Sequence, residues 1–410
     1  MTENNGTRMP ILFVVLTLTL NSMGVGLILP VMPDLILDVT GGNLSHAAVW
    51  GGILATCYAV MQFFFAPAVG ALSDRFGRRP ILLLSLAVMA ADYIVLSLAG
   101  SIWLLFGARL VGGITSATQS TASALISDLS SPKDKAKNFG LVGAAFGIGF
   151  VLGPMAGGLL AEFGPRVPFW VAAGLTTANF VFGASVVQET VTDTIRRPFE
   201  LKRANPFAAF MKIRELPGVL PLLSLFFLYE FAFLVFPSTW AYFTQLRFGW
   251  TAGTVGLSLA TFGMAMAVVQ GGLIRFIVPK LGESGTVVWG FIFNALAFAA
   301  LALISNGTVA LLLAPLSALG AVVSPTLQSL MSNATSKSRQ GELQGVLAST
   351  RAIAMIFSPL VMTQIFSKFS DTSNLVHFPG AAFTIAAGLM LVALVITFAR
   401  CRATPSNANA

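Results

Sequence analysis

The sequence contains little charge for its length. Only 10% of the 410 residues are Asp, Glu, Lys or Arg, whereas 56% are hydrophobic and the mean hydropathy is +0.83. A soluble protein of this size needs far more charge on its surface. This composition excludes a set of soluble globular domains and predicts a polytopic membrane protein with the lipid bilayer as its surroundings.

Cysteine and histidine are also scarce. Cys57 lies in an apolar segment, Cys401 lies near the end of the chain, and only two histidines are present. Because these residues show no metal-ligand spacing, we expect neither a metal site nor a cofactor. No nucleophile–base arrangement or phosphate-binding loop is visible either, which argues against an enzyme.

The distribution of the basic residues indicates membrane topology. A formal net charge of +8 would suit a nucleic-acid partner, but the Lys and Arg residues lie in loops between apolar segments. Most of the 24 fall on one side of the predicted membrane, as cytoplasmic loops do. We therefore expect no nucleic-acid partner and predict that both termini are cytoplasmic. The first apolar run lacks a small-residue cleavage pattern, which predicts an uncleaved first span.

Apolar segments of membrane-spanning length follow one another along the chain. A helix of about 20 apolar residues crosses the hydrocarbon core, and hydropathy predicts twelve such spans: 10–31, 48–68, 80–99, 102–124, 138–160, 166–187, 217–241, 252–275, 284–304, 308–329, 343–367 and 379–399. The long polar stretch between the sixth and seventh spans is rich in Lys and Arg. We therefore predict an all-α protein with an N-terminal six-helix bundle (1–187), a cytoplasmic linker (188–216) and a C-terminal six-helix bundle (217–410).

The two predicted bundles show a weak internal repeat. Residues 153–154 (Gly-Pro) correspond to residues 358–359 (Ser-Pro), and the loop residues 74–77 correspond to residues 279–282. Two bundles of equal orientation are the parallel-repeat arrangement of transporters, in which a central site forms between the repeats. The repeat therefore predicts a central site between the two bundles.

Four ionisable side chains lie within the predicted spans. They are Asp92, Arg109, Glu230 and Arg351, and such residues are functional candidates because they are expensive in a membrane. At about 1.5 Å per helical residue, Asp92 and Arg109 lie at one depth on neighbouring helices joined by a short outer turn. We expect an ion pair, which either couples transport to protons or only holds two helices together.

Glu230 lies at a similar depth in the seventh span. No cation occupies a predictable neighbouring position in the sequence, so we interpret Glu230 as a residue that takes and releases protons. The alternative is a hydrogen-bonded carboxyl group with no part in transport.

Amide side chains add to a polar layer within the membrane. Asn21 and Asn294 fall near the midplane, whereas Gln62 and Gln119 fall nearer the inner face. We interpret all four as residues of a substrate cavity. For the two glutamines, a hydrogen bond between packed helices is an equally good interpretation.

Glycine is concentrated in the fifth predicted span. Gly149, Gly153, Gly157 and Gly158 surround Pro154. Small residues at this spacing let another helix approach closely, and proline and glycine weaken a helix where bending is needed. Plain helix packing and a conformational function both explain the motif.

A short charged segment, residues 70–80, reads Gly-Ala-Leu-Ser-Asp-Arg-Phe-Gly-Arg-Arg-Pro between two apolar spans. We expect Gly70 and Gly77 to supply its turn. The pattern resembles the loop between the second and third helices of major facilitator superfamily transporters. The order GxxxGPxxGG in the fifth span resembles a motif of the drug–proton antiporters of that superfamily. Residues 22–30 and 107–115 are similar to segments of the tetracycline–proton antiporters.

The resemblance implies an inner-membrane exporter that exchanges an amphipathic small molecule, tetracycline or a related compound, for protons by alternating access. It implies that Asp74 and Arg78 stabilise the outward-facing state, and that Asp128 is a partner for the arginines of the loop. Arg109 belongs to the fourth-helix motif that is linked with proton coupling. We expect the protein to be a monomer. The implied conformational switch comprises Gly70, Asp74, Arg75, Gly77, Arg78, Arg79 and Asp128.

The chain departs from the resembled exporters at two positions. Asn21 and Asn294 stand where those exporters have aspartates in the first and ninth helices. Midplane carboxylates matter for a cationic metal–drug complex, so the two asparagines argue against tetracycline itself. Two alternatives stay open, a transporter of another metabolite or siderophore and a membrane assembly or sensory protein that transports nothing.

Overall fold

The regular structure of the described chain is helical. The computed structural model describes residues 8–116, 118–192, 205–207, 216 and 218–403, and these ranges contain no β-strand. The α-helices are α1 (Arg8–Thr40), α2 (Leu44–Phe76), α3 (Arg78–Leu98), α4 (Ile102–Thr115), α5 (Thr118–Leu129), α6 (Lys135–Ala161), α7 (Val167–Val186), α8 (Leu220–Phe233), α9 (Val235–Phe248), α10 (Ala252–Val268), α11 (Ile274–Leu303), α12 (Gly307–Ser317), α13 (Val323–Asn333), α14 (Gln340–Ser370) and α15 (Ala381–Ala403). A π-helical turn, Val269–Leu273, joins α10 to α11, and a 3₁₀ turn, Ala318–Val322, joins α12 to α13.

Ten helical stretches in the described ranges are long and apolar enough to cross a membrane. One of them, Ala252–Leu303, has 52 residues, far more than one crossing needs. Within it Gly282 has non-helical backbone angles, φ 68° and ψ 169°, so the helix is interrupted there. The all-α membrane architecture is therefore confirmed. The count of twelve spans stays a prediction, which the break at Gly282 supports.

The chain divides into two compact units. Unit 1 comprises Met1–Pro206 and Thr251–Ala260, and unit 2 comprises Phe207–Trp250 and Thr261–Ala410. The predicted bundle and linker boundaries stay a prediction. The six basic residues of the predicted linker lie outside the described residues: Arg196, Arg197, Lys202, Arg203, Lys212 and Arg214.

The packing of unit 1 depends on the glycines of α6. A Cβ atom on Gly149, Gly153 or Gly157 would collide with backbone atoms of α1. Because these residues are four apart, they form one face, against which the backbone of α1 packs directly. Gly158 lies beside this face, and a Cβ atom there would collide with the backbone at Ala252. The close helix approach predicted from the motif is present in the structure.

The junction between α2 and α3 is shorter than the sequence suggests. Gly70 lies inside α2, which continues to Phe76, and only Gly77 separates the two helices. Gly77 has φ 111°, a conformation that side-chain-bearing residues rarely adopt. The expectation that Gly70 helps to make the turn is therefore wrong, because the helix extends past the apolar segment that hydropathy detects.

Candidate functional site

Asp92 and Arg109 form the predicted ion pair in unit 1. Arg109 Nη2 donates to Asp92 Oδ2 at 2.7 Å. The side chain of Arg109 is only 8% exposed, and that of Asp92 is only 6% exposed. The guanidinium also lies over the ring of Tyr58, 5.5 Å from its centroid. The sequence could predict this pair because α3 and α4 are consecutive and the connection between them is short.

The surroundings of this pair are tightly packed. A Cβ atom on Gly112 would lie 3.1 Å from Asp92 Oδ2, so the absence of a side chain there makes room for the carboxylate. Among the described residues, Asp92 Oδ1 and Arg109 Nε have no hydrogen-bond partner. Two buried charges in a pair with an unsatisfied oxygen contribute little stability, because desolvation offsets most of their attraction. The free carboxylate oxygen is a position at which a proton can bind.

Glu230 and Arg351 form a second ion pair, in unit 2. Arg351 Nε donates to Glu230 Oε2 at 3.2 Å, and Arg351 Nη2 donates to Glu230 Oε1 at 3.1 Å. Ser324 Oγ donates to the same Oε1 at 2.8 Å. Glu230 therefore has a cationic neighbour that its position in the sequence did not predict. Its partner is 121 residues away in the sequence, and only the packing of α8 against α14 brings the two together.

The second pair is more open than the first. The side chain of Arg351 is 45% exposed, and that of Glu230 is 13% exposed. Arg351 also lies over the ring of Phe226, 5.5 Å from its centroid. The guanidinium is thus held at one edge by Glu230 and on one face by an aromatic ring, while the side chain as a whole is almost half exposed.

The predicted cavity amides have different environments. Asn294 is 1% exposed and donates to the carbonyl oxygens of Gly290 at 2.8 Å and Gly320 at 2.9 Å. The bond to Gly320 holds α11 to the 3₁₀ turn Ala318–Val322, and neither bond supports the assignment of Asn294 to a substrate cavity. Asn21 and Gln62 are half-buried, and their place in a cavity stays a prediction. The side chain of Gln119 lies outside the described residues.

The residues of the predicted switch meet at the junction of α2 and α3. Arg78 Nη1 donates to Asp74 and, at 2.7 Å, to Ser73 Oγ, while Arg78 Nε donates to Asp128 Oδ2 at 3.3 Å. Arg75 is exposed and lies over the ring of Phe76. The structure thus brings Asp74, Arg78 and Asp128 into one cluster. Their role in switching stays a prediction.

Glu189 is a member of this cluster that the sequence interpretation missed. Its carboxylate accepts from the backbone N–H groups of Arg78 at 2.9 Å and Arg79 at 3.2 Å, so it caps the N-terminus of α3. Arg79 in turn donates to the carbonyl oxygen of Ala184 at 2.9 Å. Glu189 lies in the segment predicted as a solvated linker, and no spacing in the sequence connects it with the junction.

Membrane-length helices with ion pairs between them define a polytopic membrane protein. The chain belongs to the Major Facilitator Superfamily, whose family model matches residues 14–359. It is 38% identical to the tetracycline resistance protein, class C, of Escherichia coli, over 92% of this chain and 93% of that protein. It is 37% identical to the class B protein of Escherichia coli, over 89% of each chain.

Solved structures show the same fold. The crystal structure of the human organic anion transporter MFSD10 has a TM-score of 0.67 and 26% sequence identity, and covers 95% of this chain and 99% of that one. A bacterial homologue of the human lysosomal transporter Spinster, in an inward-facing conformation, has a TM-score of 0.79 over 98% of both chains. Its sequence identity is 16%, so it supports the fold alone.

Proposed function

We propose that this protein is a proton-coupled exporter of an amphipathic small molecule, which works by alternating access. We place it in the inner (plasma) membrane as a monomer with both termini in the cytoplasm. The similarity to tetracycline resistance proteins, over about nine tenths of both chains, supports a function in drug efflux.

The observation that carries the proposal is the buried pair of Asp92 and Arg109. A charged pair in a tightly packed part of a membrane protein marks a functional site, because charge there is expensive. A proton on the unpartnered Asp92 Oδ1 would neutralise the carboxylate and weaken its hold on Arg109. The pair would then favour different helix positions in its two protonation states, as coupling to a conformational equilibrium requires.

We assign the proton-coupling function first to Asp92 and Arg109 and only second to Glu230. Arg351 and Ser324 already occupy the carboxylate of Glu230, so a proton there competes with a cation and a hydroxyl donor. At the cytoplasmic junction, Asp74, Arg78 and Asp128 act as the switch in this proposal. Their contacts exist only while α2, α3 and α5 keep their present positions.

A transport assay with purified protein tests the proposal. In proteoliposomes with an acidic lumen, inside-out molecules of a proton antiporter accumulate substrate against its gradient. We expect accumulation of at least one amphipathic drug from a panel that includes tetracycline with and without magnesium. Because Asn21 is neutral, we expect the magnesium complex of tetracycline to be a poor substrate.

Two aspartates of unit 1 that form ion pairs, one buried and one half-exposed, give the matched comparison. Asp92→Asn should abolish accumulation driven by the pH gradient but keep exchange of substrate for substrate, which needs no net proton movement. Asp38→Asn is the control, because Asp38 pairs with Arg166 in a half-exposed position. Absence of gradient-driven transport by the unmodified protein for every compound would contradict the proposal. Gradient-driven transport by Asp92→Asn would show that a residue other than Asp92 carries the proton.

A further inference from the structure

We propose that Arg351 binds the anionic group of the transported compound, so that the substrates are amphipathic organic anions such as aryl carboxylates. In this inference Glu230 is a positioning residue that orients the guanidinium. The inference deepens the proposed function and rests on it, since it names the substrate class.

The depth of Arg351 is the first argument. It lies eight residues after residue 343, where the predicted span within α14 begins, or about 12 Å along the helix axis at 1.5 Å per residue. A charged side chain that is 45% exposed at this depth faces a water-filled space, because contact with hydrocarbon would be far more costly. A phospholipid headgroup does not reach this depth without distorting the bilayer.

The geometry of the guanidinium is the second argument. Arginine has five N–H donors in a planar fork that matches a carboxylate. Glu230 accepts from Nε and Nη2, which form one edge of the fork, and leaves the Nη1 side for another acceptor. Arg109 offers a contrast, because its side chain is only 8% exposed and no soluble ligand reaches it.

The surface around Arg351 is the third argument. Along α14, Gln344, Ala348, Arg351 and Met355 are exposed in unit 2 and follow one another at intervals of three or four residues, which places them on one helix face. Ala348 is small and leaves room beside the guanidinium, while Met355 is an adaptable apolar surface. A cation on such a face suits a molecule with one acidic group and an apolar body.

Glu230 has a defined task in this arrangement. Its two bonds hold the guanidinium in one orientation, and the hydroxyl of Ser324 holds Glu230 in turn. Its negative charge also weakens the attraction of Arg351 for an anion. Removal of that charge should therefore tighten anion binding, whereas removal of Arg351 should weaken it.

The test measures equilibrium binding to the full-length protein in detergent, with no pH gradient. The probes are naphthoate and its neutral analogue naphthamide, which differ in charge and have the same apolar body. We expect naphthoate to bind more tightly than naphthamide. Arg351→Gln should weaken naphthoate binding at least roughly tenfold, as loss of a charge-assisted bond does, and should leave naphthamide binding unchanged.

Further variants keep the inference testable if Arg351→Gln does not fold. Glu230→Gln retains Arg351 and should bind naphthoate more tightly, while Arg351→Lys should keep part of the preference because it keeps the charge but loses the fork. Arg166→Gln, in the half-exposed pair with Asp38, is the control and should change nothing. Addition of phosphatidylglycerol should not compete with naphthoate, and competition would indicate a lipid as the source of the anion.

Equal binding of both probes to the unmodified protein would overturn the inference, as would an unchanged preference in Arg351→Gln or Glu230→Gln. These binding results are independent of the proposed proton coupling, because a failure of proton coupling is seen only in the pH-gradient assay. A protein that prefers naphthoate but shows no gradient-driven transport keeps the anion site and loses the proton coupling.

Discussion

The two membrane-embedded ion pairs have the same chemistry in different surroundings. In unit 1, Asp92 and Arg109 lie on consecutive helices in a packed site, and both side chains are less than one-tenth exposed. In unit 2, Arg351 is almost half exposed while Glu230 is nearly buried. A buried pair can exchange only its proton, whereas an open pair can also accept a ligand. Burial therefore distinguishes the proton site from the substrate site in our proposals.

The packing of helices also differs between the two units. In unit 1, the backbone of α1 packs directly against the glycines of α6. At the corresponding position of unit 2 stands Ser358, whose Oγ donates to the carbonyl oxygen of Phe231 at 2.7 Å. A serine needs more space than a glycine, so the helices cannot approach as closely, but its hydrogen bond joins them. A polar contact in unit 2 thus holds helices together where close backbone approach does so in unit 1.

The largest expected effect is that of breaking the buried pair. Arg109→Gln leaves Asp92 buried without a cation, which should destabilise the protein by about 3–5 kcal/mol. Arg351→Gln should cost clearly less, because Glu230 keeps Ser324 and water has access to the site. Thermal unfolding of the purified variants in detergent measures the difference.

The double variant Asp92→Asn with Arg109→Gln checks the reason for this difference. It should recover most of the lost thermal stability but not the transport activity. Equal destabilisation by Arg109→Gln and Arg351→Gln would show that burial does not separate the two pairs.

The glycine face of α6 should show the next largest effect. Gly153→Ala forces α1 away from α6 and should destabilise by about 1–3 kcal/mol, as overpacking does. Gly147 lies on the same helix with nothing near its Cβ position, so Gly147→Ala should be neutral or stabilise by up to about 1 kcal/mol. If thermal unfolding ranked the two alanine variants equally, close helix approach in unit 1 would not limit stability.

The hydrogen bond of Ser358 should matter less. Ser358→Ala removes the donor to Phe231, and we expect a loss of about 0.5–1.5 kcal/mol in thermal unfolding. The comparison variant is Ser358→Gly, which copies the residue of unit 1 and also removes the bond. An alanine variant as stable as the unmodified protein would argue that unit 2 packs without help from this contact.

The smallest change in stability should come from the α2–α3 junction. Asp74 is partly exposed, so Asp74→Asn should alter stability by less than about 1 kcal/mol. Transport should nevertheless fall, because the loss of the Arg78 contact changes the balance between two conformations. In unit 2, the carboxylate of Glu283 accepts hydrogen bonds from Ser329 and Asn333. The variant Glu283→Gln removes its charge and is the variant of unit 2 to compare with Asp74→Asn. Normal transport by Asp74→Asn at equal expression would contradict the proposed role of this cluster as a switch.

Features that depend on neighbouring segments were predictable from the order of residues. Hydropathy reports the free energy of transferring a segment into hydrocarbon, so the membrane-spanning, all-helical architecture follows from the chain itself. The pair of Asp92 and Arg109 was predictable because a short turn sets the relative depth of consecutive helices. The close packing of α6 was predictable because glycine spacing acts within one helix face.

Features that depend on distant segments required the tertiary structure. The partner of Glu230 lies 121 residues away, and hydropathy does not tell how two helices are rotated about their axes. For the same reason the cap of Glu189 on α3 and the burial of Asn294 against Gly320 escaped prediction. Residue order thus determined which helices are long and apolar enough to enter the membrane and which charges lie on consecutive helices. Only the packing of helices decided which charges meet and which of them stay open to a ligand, because side-chain contacts and water access depend on helix rotation and neighbours.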